Sequence, residues 1–127
     1  MDKFVCGIEL AKELYKRGIV KDAEFWHFNM FNKESIQMFD GVERIGSDIK
    51  SVCPAPIAEE LMELLPSRFE SKDDWHYLST RKNSILHFIS YDSKLHPIKI
   101  ISDKKESNAR AKMLIWLDDE GYLKGVK

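Results

Sequence analysis

The chain has little of what small secreted or membrane proteins depend on. It holds two cysteines, Cys6 and Cys53, in 127 residues. That is too few, and too unpatterned, for a disulfide framework. Read with the cysteine usage, the chain belongs in a reducing cytoplasm, and both thiols read as small buried apolar groups. A Cys6–Cys53 bridge is the minor alternative. No apolar run approaches the roughly 20 residues that a spanning helix needs, which excludes a helical membrane protein. Met1 to Cys6 lacks the apolar core and small-residue cleavage site of a signal peptide. Neither sign of charge is in excess, with 20 Lys and Arg against 21 Asp and Glu and a formal net charge of −1. A broad electrostatic footprint for duplex nucleic acid is therefore not expected. Catalytic signatures are missing as well. There is no CxxC, no HExxH, no Gly-rich phosphate loop and no GxSxG elbow. No cofactor is expected. Nor is there an internal repeat or a low-complexity segment.

What is present suits one domain with a substantial core. Residues 7–17 read as a first helix. Leu10, Ala11, Leu14 and Tyr15 form its apolar stripe, Glu9 and Glu13 lie early, Lys16 and Arg17 late, and Gly18 ends it. Ala23 to Phe31 is aromatic, with Phe25, Trp26, Phe28 and Phe31, and reads as a strand with a buried face. Base stacking by these rings is the weaker reading, because no Lys or Arg is interleaved. Residues 32–53 are hard to read. Asp40-Gly41 suggests a hairpin between Ile36–Phe39 and Val42–Ile45, Gly46 to Asp48 suggests loop, and a binding loop would sit in this region.

Pro56 suits the first position of a second helix over 56–65, closed by Pro66. Ser67 to Asp74 reads as a polar linker carrying Phe69. A three-stranded antiparallel meander follows over 75–102, with strands near 75–80, 85–91 and 98–102. Ile85, His87, Ile89 and Tyr91 share one face, and an even turn adds His76 and Leu78 to it. The other face, expected to carry Leu86, Phe88 and Ile101, is apolar enough to invite a cover, from this chain or from a second copy. The last helix is expected over 103–120, with Asp103 or Ser107 as cap and Ala109, Met113, Trp116 and Leu117 on its buried face. Gly121 stops it.

The expected fold class is therefore α+β: a mostly antiparallel sheet of about four to five strands with three helices. Two constellations carry possible chemistry. His76 and His87, near Asp74 or Asp103, suggest a metal or acid–base pair in a small metal-dependent or nucleotide-processing enzyme. Against that, His87 lies among Ile85, Ile89 and Tyr91, as a core histidine does. Lys104, Lys105, Arg110 and Lys112 suggest an anion or nucleic-acid contact. Asp103 and Glu106 interleave them, as on a solvated charged face.

Several phrases also carry a likeness in layout. They are Phe4-Val5-Cys6, Glu9 to Leu14 with Gly18-Ile19, the aromatic strand, Cys53-Pro54-Ala55-Pro56, and Ala109 to Leu117 with Gly121-Tyr122-Leu123. This layout resembles the small uncharacterised proteins carried by phages and prophages of gut bacteria, Bacteroides-type hosts in particular. The resemblance implies an accessory cytoplasmic protein of a mobile element, and it implies no activity and no site residues. The expected function is accordingly a non-enzymatic interaction module whose partner is a protein, a second copy included.

Overall fold

The computed structural model describes residues 4–30, 33–38, 49–71, 74–94 and 97–123. Helix α1 (Ile8–Lys16) opens it, with Glu9 in its first turn and Lys16 in its last, as the helix dipole favours. Gly18 takes a left-handed φ of 75°, and the Ile19 N–H then donates to the Leu14 carbonyl at 3.0 Å. That folds Ile19 and Val20 back into the core.

Strands β1 (Phe25–Met30), β2 (Lys33–Met38) and β3 (Ile49–Pro54) form one antiparallel sheet in the order β2-β1-β3. Part of the expected hairpin changes here. The strand at 33–38 pairs with β1, while Asp40–Gly41 and Val42–Ile45 lie outside the described residues. β3 falls in the stretch expected to be irregular. A proline normally argues against a strand, but Pro54 ends an edge strand, where its missing N–H is tolerated. β1 also departs from simple alternation. His27 and Phe28 are both buried, and the pairing with β3 shifts between them.

Helix α2 (Ala58–Leu64) follows, and Glu60 accepts the Ile57 N–H at 3.0 Å to tie down its start. Then come β4 (Arg68–Ser71), β5 (Asp74–Lys82), β6 (His87–Asp92) and β7 (Pro97–Asp103), a four-stranded antiparallel sheet in chain order. β5 to β7 are the expected meander. β4 replaces the expected linker: Phe69 points inward between exposed Arg68 and Glu70, a period-2 pattern too short to stand out in the sequence. The α+β class holds, with the strands divided between two sheets.

Helix α3 (Glu106–Asp119) runs through the middle and meets α1, α2, β6 and β7. Its buried positions are Ser107, Ala109, Ala111, Met113, Leu114 and Leu117, more than one stripe holds. The small residues let neighbouring backbone come close. The Asn108 side chain accepts the Gly7 N–H at 2.8 Å, and Arg110 Nη1 donates to the Ala58 carbonyl at 2.7 Å. Gly121 stops the helix at φ 83°, and Tyr122 returns to stack on Phe69 with ring centroids 4.2 Å apart. Phe69, His76, Tyr91, Trp116 and Tyr122 form one aromatic cluster beneath β4, which accounts for Trp116 as packing.

Two polar ties close the frame. Arg17 bonds Glu13 at 2.8 Å, Asp118 at 3.1 Å and Asp119 at 2.6 Å, pinning the end of α1 to the end of α3. Tyr91, fully buried, donates its hydroxyl to the Pro66 carbonyl at 2.6 Å and so anchors the segment between α2 and β4. Tyr91→Phe leaves that carbonyl without its donor. The expected loss is about 1–3 kcal/mol of unfolding free energy, read from the urea midpoint.

Candidate functional site

The four-stranded sheet turns one face to α3. Phe69, His76, Leu78, Ile89, Tyr91 and Ile101 lie on that side. The expectation for Ile101 is overturned: it pairs with Ile89 on the helix side, and its neighbour Ile100, 47% exposed, points outward. Alternation along β7 forces this once the pairing with β6 is set. Leu86 is not in the sheet either. It closes the β5–β6 turn, where its N–H donates to the Asn83 side chain at 2.7 Å. Of the three expected residues, only Phe88 remains on the outer face.

That face has other occupants that the sequence reading passed over. The even register places His76 and Leu78 inward, so Trp75, Tyr77, Ser79 and Arg81 of β5 point outward. Arg68 and Glu70 of β4, Phe88, Ser90 and Asp92 of β6, and Ile100 and Ser102 of β7 join them. Trp75 is 41% exposed and Tyr77 51%. Ile85 in the adjoining turn is 66% exposed. Arg68 stacks over the Trp75 ring at 4.6 Å, and Arg81 lies 6.0 Å from the Phe88 ring centroid. The signal was available: once Ile89 and Tyr91 are taken as inward, every second residue of the paired strands is outward.

The histidine pair is not assembled. His76 sits opposite Phe69, with ring centroids 5.2 Å apart, and is buried. His87 pairs with Lys82 on one side and Asp103 on the other. The two share a face, but His76 and Lys82 are separated by six strand positions, roughly 20 Å at about 3.3 Å per residue. Among the described residues no three of His, Cys, Asp and Glu converge as a metal site.

The basic cluster is partly spent on structure. Arg110 is held by the Ala58 carbonyl and by Glu106, and Lys112 bonds Asp103 at 2.7 Å. Lys104 is exposed, and Lys105 offers its backbone N–H to Asp103 at 2.9 Å. Asp103 thus acts from the end of β7 on the loop before α3, while Glu106 turns to Arg110 instead of back to the cap. Burial alone would raise the Asp103 carboxyl, but the Lys112 ammonium, the Lys105 amide and Asn108 outweigh it and hold it below its ordinary value. A depressed native value means a contribution complete above the unfolded carboxylate range and lost as pH falls through the native one. Asp103→Asn is expected to cost about 1–2 kcal/mol at neutral pH. It should also flatten the acid limb of the stability–pH curve, which urea melts from pH 7 to pH 3 would show.

The other shifted groups are packing features too. Burial pushes the Cys6 thiol up to about 12 and the Cys53 thiol up to about 11, so neither is a ready nucleophile. Burial also raises Tyr91, and hydrogen bonds to Asp119 and Glu13 raise Arg17. A cavity of about 260 Å³ opens where α2 and α3 begin, walled by Phe4, Phe25 and Ile57 with Glu59 and Glu106 at its rim. Its carboxylates oppose the anion preference of a helix N-terminus, so it has no consistent ligand class. No helix among the described residues is long and apolar enough to cross a membrane. Comparison with protein-family models, with curated proteins and with solved structures gives no match for this chain.

Proposed function

We propose that the chain is a non-enzymatic protein-interaction module that binds through the outer face of its four-stranded sheet. One observation carries this reading: Trp75, Tyr77, Phe88 and Ile100 lie together on a face that no described element covers, with Arg68 and Arg81 stacked on two of the rings. Large aromatics and arginine are the residue types on which protein contacts concentrate their energy. The residues behind the face are tied into the core, so the platform is rigid and little ordering is lost on binding. Within this proposal, the phage-type layout suggests an accessory factor of a mobile element working in the cytoplasm.

The test uses the native chain and a Trp75→Ala, Tyr77→Ala variant as matched baits, alongside sedimentation of each. The variant should keep its fold and lose the native chain's associations. An unchanged set of captured proteins together with unchanged sedimentation would sink the proposal.

A further inference from the structure

We infer, on the basis of that reading, that the occupant of the outer face is a second copy of this chain, related by a two-fold axis along the row Ser79–Ser90–Ile100. The charges on the face come first. Arg68 and Arg81 are matched by Glu70 and Asp92, and none of the four is among the ion pairs of the described residues. A surface for a nucleic-acid strand, or for an acidic or basic peptide, carries an excess of one sign. A surface that carries both signs in equal number, unspent, suits a copy of itself.

The pairing then gives the arrangement. Tyr77 and Asp92 are cross-strand partners on one side of the Ser79–Ser90 row, and Arg81 and Phe88 are partners on the other. A two-fold axis lying in the interface along that row keeps each strand over its own counterpart and reverses its direction. Arg81 of one copy then lies beside Asp92 of the other, and Phe88 lies against Tyr77. Symmetry makes each contact twice. The axis falls on two serines, Ser90 only 2% exposed, and on Ile100, which meets its own counterpart as an apolar contact, so the two sheets can approach to the usual spacing of about 10 Å. Arginine is long enough to meet its partner across the roughly 30° twist between packed sheets. Arg68 and Glu70 lie on the outlying strand β4, at the rim of this contact.

Light scattering over a range of concentrations tests the inference with the native chain, Arg81→Asp, Asp92→Arg and the double exchange. Circular dichroism melts confirm that each variant folds. The native chain should be a dimer. Each single exchange places like charges together and should weaken dimerisation by about 10-fold or more, and the double exchange should restore it to within a few-fold. A native chain that stays monomeric overturns the inference, and if its captured partners still depend on Trp75 the sheet-face reading survives. A dimer indifferent to the charge exchanges but lost in Trp75→Ala, Tyr77→Ala overturns this axis alone. A dimer indifferent to every variant overturns both.

Discussion

Leu114→Ala is expected to lower the unfolding free energy by about 2–5 kcal/mol, seen as a fall in urea midpoint with an unchanged slope. The size follows from where α3 lies. Leu114 is fully buried, and its helix meets two other helices and two strands. Its neighbours cannot close the gap. Ala109 and Ala111 are already minimal, Met113 and Leu117 are themselves fully buried, and the Arg110 contact with Ala58 fixes the distance to α2. A cavity that cannot collapse costs the lost transfer energy and the empty volume together. Ile115→Ala removes as much side chain from a half-buried position on the same helix and should cost clearly less. Equal losses at the two positions would mean that α3 is not the central element.

The second large effect falls on association and spares stability. Trp75 and Tyr77 keep 41% and 51% of their surface in the isolated chain. Roughly 100 Å² of each ring is therefore still available to bury in a contact, about 2.5 kcal/mol apiece at 25 cal/mol per Å². Trp75→Ala with Tyr77→Ala should weaken binding through this face by two orders of magnitude or more. The folded state loses much less. Arg68 gives up its stacking partner, worth about 0.5–1 kcal/mol at an exposed position, and two β-favouring residues leave the first half of a strand whose inward side is intact. A variant that unfolds would show these rings to be core, while one that folds and binds normally would show them to be ordinary surface.

The parts legible in the sequence are those governed by local rules. The stripe Leu10, Ala11 and Leu14 with Gly18 gives α1, Pro56 and Pro66 bracket α2, and Gly121 marks the end of α3. Ile85 to Tyr91 alternates clearly enough to place the meander, and the four-residue turn at 83–86 delivers the even register. The illegible parts depend on pairing between distant segments. β3 ends in Cys53-Pro54, and β4 has one apolar residue, so neither has a strand signal until its neighbour supplies one. Ile101 takes the side opposite to the expected one for the same reason: Ile100 and Ile101 are chemically alike, and only the pairing with Ile89 decides between them. The site suffered most. Trp75 and Tyr77 are of types common in cores, and their outward direction follows only from the inward direction of His76 and Leu78. Histidine, lysine and arginine are reactive or charged types, yet His76 packs on Phe69, and Arg110 and Lys112 are engaged within the fold.

We propose that this chain meets a copy of itself through its outer sheet face. The solution mass of the native chain, measured beside that of Trp75→Ala, Tyr77→Ala at matched concentrations, tests it most directly. The native protein should show twice the chain mass of 14.8 kDa at high concentration, and the variant the single-chain mass throughout. Equal masses for the two proteins at every concentration would contradict it.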